Sequence, residues 1–334
     1  MPDRPSPNEG FESLTPDLII GSVERALDRP MTGLTSPLPS YINRVYELET
    51  RDGERFVAKF YRPGRWNDEA LSDEHRFVLD CAAHEIPVVA PLELADGKTL
   101  GLAGTIRFAV YPKRWGREIE ITGDEDYRRL GRLIARVHLA GEERKAPARV
   151  VLHPLRSLEN DVRSLLDGGF VTSPYQDGFK RICREIIDLG APLFDGVEML
   201  RLHGDCHVKN FLDRPGEGLM IIDFDDMVTG PPVQDLWMLL PDHAARCRYE
   251  MNLLVSGYEE FREFDDRTLR LIEPLRAMRI IYFLSWCSRQ KGDYKFRTLF
   301  PDWGSDRFWS NEIKDLEQQL VIVRNDLRSG AGNV

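Results

Sequence analysis

The sequence predicts an α+β chain in two lobes, a small antiparallel sheet with one helix followed by a larger, mainly helical body. Three observations carry this. The 334-residue length exceeds that of one ordinary domain. Short β-type runs crowd the first third, and after Tyr111-Pro112 the pattern turns to long helical spacings. Two short β-like pieces, "NFLDR" and "GLMIIDFDD", then interrupt the helical part. The expected division is an arm over residues 1–20, a first lobe over 21–112 and a helical lobe over 113–334.

In the first lobe, "YINRVYELET" (41–50) and "ERFVAKFYRP" (54–63) flank "RDG", a Gly-containing hairpin signal. Helical spacing follows over 67–85, with Leu71, His75, Val78, Leu79 and Ala82 on one face. Asn67 or Asp68 suits the N-cap, and acids fill the first turn as the helix dipole prefers. Residues 86–112 return to strands and turns. Residues 124–141 place Tyr127, Leu130, Ile134, Val137 and His138 on one stripe and stop at Gly141. Helices are also expected over 156–167, 176–190, 232–240, 245–262 and 266–289.

Composition narrows the function classes. With 42% hydrophobic and 30% charged residues the chain reads as an ordinary globular protein. No apolar run approaches the roughly 18 residues of a membrane span, and the polar, Pro-rich start lacks a signal-peptide pattern. The expected location is the cytoplasm. Five scattered cysteines without a CxxC pair argue against a disulfide framework or a Cys-rich zinc site. A net charge of −10 argues against bulk affinity for nucleic acid or anionic membranes.

The chemistry concentrates in "RLHGDCHVKNFL" (201–212) and "LMIIDFDD" (219–226). His203, Asp205 and His207 alternate along the chain and would share one side of a strand, a conceivable metal nest. That reading leaves Asn210, Asp223 and an upstream lysine unexplained. Phosphoryl transfer from a metal-bound nucleotide uses them all: a carboxylate to take the acceptor proton, hard oxygen ligands, and proximity to phosphates. Asp205 then receives the proton, while Asn210 and Asp223 share Mg²⁺. On this reading His203 holds the loop, and Cys206 and His207 are structural. The spacing fits the catalytic-loop and metal-Asp pattern of protein kinases, with Asp225 standing where those have glycine.

Lys59 lies inside the apolar strand "RFVAKFYRP", on the face opposite Phe56, Ala58 and Phe60. A buried ammonium needs an anion. Nucleotide phosphates would supply it, with Glu74, or next Glu69, steadying the lysine. Alone, the lysine would read as a strand-edge side chain reaching for water. The stretch 33–48 falls where a phosphate-covering loop belongs, with Gly33, Ser36, Ser40 and Asn43 as candidate donors. "FAVYP" (108–112) would be the hinge, with backbone at Val110 meeting an adenine edge. In "GPPVQDLWMLL", Asp235 either accepts backbone N–H groups from the catalytic loop or is a solvated helix-face acid.

Together "SYINRVYEL", "FVAKFYRPGRW", "DEHRF", "PVVAPL", "LRLHGDCHVKNFL", "IDFDD", "GPPVQDLWMLL", "YEEFREFD" and "LIEPLRAMR" resemble the stress-response kinase A family. That family lies in the aminoglycoside phosphotransferase and choline kinase-like group of the protein-kinase-like superfamily. The resemblance covers about residues 33–290. It implies a bilobal protein-kinase-like fold and cytoplasmic, ATP- and Mg²⁺-dependent phosphorylation of protein Ser/Thr residues linked to stress survival. By motif it implies Asp205 as proton acceptor, Asn210 and Asp223 as magnesium ligands, and Ser40 as the ATP-loop contact. Val208-Lys209 departs from the small residues usual in the family's loop, and Lys209 adds a charge there. The expected partner is a protein substrate or a small-molecule hydroxyl acceptor, met by a monomer with no nucleic-acid or membrane partner. Two rivals are a small-molecule kinase and a non-catalytic nucleotide-binding regulator. "YEEFREFDD" (258–266) is a conceivable lining for a cationic acceptor in the first.

Overall fold

The computed structural model describes residues 11–40, 42–291 and 294–330. The chain begins with α1 (Pro16–Leu27), β1 (Met31–Leu38), β2 (Arg44–Thr50), β3 (Arg55–Phe60), α2 (Asp68–Ala83), β4 (Gly101–Ala103), β5 (Ile106–Pro112) and β6 (Arg117–Glu118). Next come α3 (Asp124–Glu142), α4 (Glu159–Asp167), α5 (Gln176–Gly190) and β7 (Leu200–Leu202). A hairpin of β8 (Phe211–Arg214) and β9 (Gly218–Ile221) leads to β10 (Val228–Gly230). The remainder is α6 (Val233–Trp237), α7 (Arg248–Tyr258), α8 (Ile272–Gln290), α9 (Tyr294–Leu299) and α10 (Asp306–Gly330).

These elements form two compact units. The first takes the chain through Glu120, together with Ala146–Arg149 and His207–Asp226. The second takes Ile121–Lys145, Val150–Cys206 and the chain from Met227 onward. The units therefore do not follow a single cut at residue 112. Residues 113–120 and 207–226 stay with the first unit because β6, β8 and β9 pair as one antiparallel sheet.

The main sheet of the first unit runs β1-β2-β3-β5-β4 and is antiparallel throughout. Alternation along β3 turns Phe56, Ala58 and Phe60 to one face, where they pack with Phe108 and Val110 of β5. Ile19 and Val23 of α1 cover that face. The first lobe thus has two helices rather than the single one expected. Residues 1–10 of the expected arm lie outside the described residues, and from Pro16 the rest is helix. Thr15 accepts the Leu18 N–H at 3.2 Å, Pro16 occupies the first turn, and Asp28 ends the helix at φ 51°. Packing supplies the reason: an apolar sheet face must be covered.

In the second unit, α3 and α7 approach through glycines. A Cβ on Gly131 would stand 2.0 Å from the Leu254 carbonyl oxygen, and one on Gly257 would stand 2.1 Å from that of Arg128. Strands β7 and β10 pair antiparallel beside them, Leu202 opposite Val228. The helix expected over 232–240 shortens to α6, and that over 245–262 shortens to α7. The one expected over 266–289 divides into a 3-10 stretch, Asp266–Leu271, and α8. The last helix, α10, runs 25 residues and buries Trp309, Leu316, Leu320 and Val323 along one stripe. All five cysteines are free and buried, and no described helix is long and apolar enough to cross a membrane.

The glycine contacts give a stability prediction. Gly131→Ala forces a methyl into a backbone carbonyl, and overpacking of this kind costs about 1–3 kcal/mol or more. Urea unfolding should show a lower midpoint for Gly131→Ala than for Gly178→Ala, where the nearest atom to an added Cβ is 3.9 Å away.

Candidate active site

The first unit buries a lysine among acids. Lys59, 9% exposed, projects from β3 on the face opposite the phenylalanines. Its Nζ lies 3.0 Å from Asp223, 3.1 Å from Asp225 and 3.9 Å from Glu74. Burial alone would discharge the amine, but the charges of Asp223, Asp225 and Glu74 hold its pKa well above the ordinary value. Glu74 is itself fully enclosed in α2. Burial raises its pKa to about 7, against the opposing pull of Lys59 and Arg149.

Asp225 is the centre of this network, and sequence reasoning noted it only as a glycine replacement. Besides Lys59, its carboxylate meets the Arg65 guanidinium and accepts the Asn43 Nδ2–H at 3.2 Å. Its backbone oxygen accepts from Arg149 Nη2 at 2.5 Å. Arg65 also reaches Asp226 at 2.6 Å. Arg149 lies 3.8 Å from Glu74 and stacks 3.9 Å over the Trp66 ring. Burial raises the carboxylate's proton affinity, but Lys59, Arg65 and Arg149 together hold Asp225 far below the usual range. Arg65 sits in the quoted "RPGRW"; Arg149 had no local signal.

The hairpin β8–β9 brings Asn210 and Asp223 together. Phe211 pairs with Ile221, and the Ile222 N–H donates to the Asn210 carbonyl at 3.0 Å, so Asp223 leaves the strand next to Asn210. Asp223 adopts φ 63°, and its side chain remains 55% exposed while meeting Lys59. A non-glycine residue in that region is held by its surroundings. Lys209, in the turn before β8, is exposed.

Other candidates fall differently. The stretch 33–48 is mostly strand, and Gly33 lies within β1 at an irregular register with φ 87°. Ser40 is half-buried in the short link between β1 and β2. Asn43 is 4% exposed and braces Asp225 and the Arg62 N–H, so it turns inward rather than toward a phosphate. Val110 is the residue expected to offer backbone to an adenine edge. It lies buried in β5 opposite Ala58, and its carbonyl already receives the Leu92 N–H at 2.8 Å. The smaller cluster of Tyr61, Leu71 and Ala109 backs the face of Lys59. Glu69, the second choice for the lysine's partner, lies outside this network, which takes Glu74 instead.

In the second unit the "HGD" loop follows β7. Asp235, wholly buried in α6, accepts the His203 N–H at 2.9 Å, the Gly204 N–H at 2.8 Å and His138 Nε2–H at 3.1 Å. Burial pushes its pKa up, but the bonds from His138 and the Gly204 backbone bring it below the ordinary carboxylate range. The expected backbone brace is thus present. Gly204 takes φ 81°, a conformation suited to glycine. The imidazole of His203, fully buried, accepts the Asp205 N–H through Nδ1 at 3.2 Å, so it holds the loop. Burial raises the Cys206 thiol well above its ordinary range, which leaves it unreactive. Among the described residues no group of three or more His, Cys, Asp and Glu forms a metal nest. The Asp205 carboxylate meets Arg279 of α8 at 2.5 Å, a partner the sequence did not suggest.

A sheet carrying a buried Lys–Glu pair, an Asp-bearing hairpin and a helical unit carrying a braced HGD loop define the protein-kinase-like phosphotransferase class. The chain belongs to the phosphotransferase enzyme family, whose model matches residues 35–272. It is 36% identical to stress response kinase A of Escherichia coli K12, over 94% of this chain and 95% of that protein. It is 34% identical to the serine/threonine protein kinase RdoA of Salmonella typhimurium LT2, over 94% of each. Its fold is shared by an amicoumacin kinase solved with AMP-PNP, Ca²⁺ and Ami (TM-score 0.74, 18% identity, 93% of this chain and 95% of that one). It is shared also by a microcompartment-associated aminopropanol kinase (TM-score 0.67, 18% identity, 94% and 98%).

Glu74 gives a pH-dependent prediction. With its pKa raised from 4.5 to about 7, the folded state holds a proton the unfolded chain has lost between those values. Its contribution is therefore greatest below the unfolded pKa and is lost as pH rises through about 7. Glu74→Gln should gain stability relative to the parent by on the order of 2 kcal/mol between pH 5 and 8 in nucleotide-free protein. Urea titrations at both pH values check it, and a difference independent of pH would refute it.

Proposed function

We propose that the chain is an ATP- and Mg²⁺-dependent kinase that phosphorylates Ser/Thr hydroxyls of proteins, a cytoplasmic enzyme linked to stress survival. The observation that carries the phosphotransferase site is the buried Lys59 ammonium, fixed beside Glu74, Asp223 and Asp225. The protein acceptor and the stress link are supported by the names of relatives that match nearly the whole chain.

Asn210 and Asp223 fit a magnesium ion. The hairpin backbone sets the two residues near one another, both carry hard oxygen atoms, and Asp223 is open to solvent and already faces a cation. Bound there, magnesium would neutralise charge on the transferred phosphate. Lys59 would exchange part of its contact with Asp223 for phosphate oxygens, and Glu74 would keep its ammonium in place. Ser40 would contribute from the β1–β2 link. The stretch 108–112 would be the hinge, its backbone at Val110 and nearby residues meeting the adenine edge. Asp205 would orient the acceptor hydroxyl and take its proton as the new P–O bond forms. Asp235 would act as a positioning residue, fixing the backbone on which Asp205 rides. Positioning and electrostatics would supply most of the rate.

A small-molecule acceptor is the second reading, favoured by the solved kinases of shared fold whose names carry amicoumacin and aminopropanol. The acidic segment does help line an open cavity of about 720 Å³ with Glu142 and Glu198. Arg262 pairs with both of those acids, and Asp205 is not among the lining residues, which weighs against a cationic acceptor seated there.

Labelling with [γ-³²P]ATP and Mg²⁺ tests the proposal on generic proteins and on a panel of amino alcohols. Protein labelling is expected, falling by about two to four orders of magnitude in Asp205→Ala. Transfer confined to small molecules would refute the protein-kinase reading, and undiminished labelling by Asp205→Ala would remove Asp205 from its role.

A further inference from the structure

The acceptor side of the site carries a charge that the transfer chemistry does not use. Arg279 extends from α8 to the Asp205 carboxylate, Nη2 to Oδ1 at 2.5 Å. Its side chain is 32% exposed and that of Asp205 is 16% exposed, so the pair borders solvent. The guanidinium also lies 5.3 Å from the ring centroid of Tyr282. An incoming hydroxyl must come within hydrogen-bond reach of Asp205, and therefore close to Arg279.

The surrounding helix offers a cation little compensation. Between Ile272 and Gln290, α8 contains three arginines, Arg276, Arg279 and Arg289, against one acid, Glu273. Glu273 is buried and committed to His243, the Ala244 N–H and Gln319. Arg276 is held by the Asp242 carbonyl and lies over Trp237. Arg289 meets Ser285 and approaches Asp161. Arg279 is the arginine directed at the catalytic carboxylate. Further along the same helix, Phe283 stacks on Trp286 with ring centroids 5.7 Å apart, and Phe283 is 45% exposed.

We propose that Arg279 is a specificity-determining residue that selects Ser/Thr acceptors flanked by a carboxylate. When the hydroxyl takes its place at Asp205, the guanidinium exchanges part of its contact with Asp205 for the carboxylate of the neighbouring substrate residue. A lysine or quaternary ammonium beside the hydroxyl meets a like charge instead. The selection is local, since the chain's net charge of −10 would by itself disfavour an acidic substrate. Exposed Phe283, stacked on the half-buried Trp286 beyond Arg279, suits apolar side chains of an extended peptide better than a compact polar molecule.

This inference rests on the protein-kinase reading, and the experiment separates the two. Peptides with one serine, flanked by Asp/Glu or by Lys/Arg in an otherwise identical frame, are compared by kcat/KM, with an amino alcohol alongside. The parent should prefer the acidic peptide by about tenfold or more. Arg279→Lys should keep the preference, Arg279→Gln should bring the ratio close to one, and Arg279→Glu should reverse it. Because the ratio is taken within each variant, a general loss of activity does not alter it, and a variant that fails to fold leaves the other two decisive. Peptide phosphorylation without an acidic preference, or an equal loss on both peptides in every variant, would overturn the role of Arg279 and leave the kinase reading standing. Phosphorylation of the amino alcohol alone would overturn both.

Discussion

A buried ammonium is the constraint on which the first unit is organised. Lys59 cannot remain charged inside β3 unless anions replace the water it has lost. The fold brings three carboxylates to it from two places far apart in sequence, the helix after β3 and the loop after β9. Those acids create a second problem, because Glu74, Asp223 and Asp225 repel one another. Arg65 and Arg149 reduce that repulsion, and Arg149 belongs to a four-residue stretch that returns from the helical part of the chain. The irregular chain path of this unit is therefore a consequence of charge compensation as well as of strand pairing.

The second unit meets the same difficulty with the opposite sign. Asp235 is a wholly buried carboxylate, and its oxygens are occupied by two backbone N–H groups and an imidazole. The Tyr258 hydroxyl lies 2.9 Å from His138 Nδ1, continuing the chain of hydrogen bonds into α7. A loop fixed by its backbone leaves its side chains for other work, and the Asp205 carboxylate reaches Arg279 of α8. Helices α3 and α7 approach closely enough to support this chain because Gly131 and Gly257 carry no side chain.

Much of this was legible in the sequence, for identifiable reasons. Lys59 stood out because strand alternation gives its face, and Glu74 because helix 67–85 follows at once. Asp235 stood out because an acid in an apolar helix needs donors. Helix α1 was hidden by its Pro-rich approach, although Thr15-Pro16-Asp17 is a cap, a first-turn proline and a first-turn acid in order. Position alone does not reveal that the Leu92 N–H meets the Val110 carbonyl. Pairings such as Asp225 with Arg149, or Asp205 with Arg279, span about 75 residues and leave no local pattern. They depend on packing, which periodicity does not encode.

Asp225 shows how one substitution redistributes these constraints. Glycine at that place, as in the protein-kinase pattern, would leave the loop after β9 conformationally permissive. An aspartate brings a charge that must be compensated, and here Lys59, Arg65 and Asn43 all converge on it. Those contacts anchor the residue two positions after Asp223, which itself sits at φ 63° with its carboxylate largely exposed. An unfavourable backbone angle persists where neighbouring contacts fix both ends of the turn. One end is tied by the Ile222 N–H to Asn210, and the other by the ion pairs of Asp225. The acid in place of glycine thus exchanges freedom of the loop for a fixed direction of Asp223. That direction is what a residue beside Asn210 must have if the two are to share one ion.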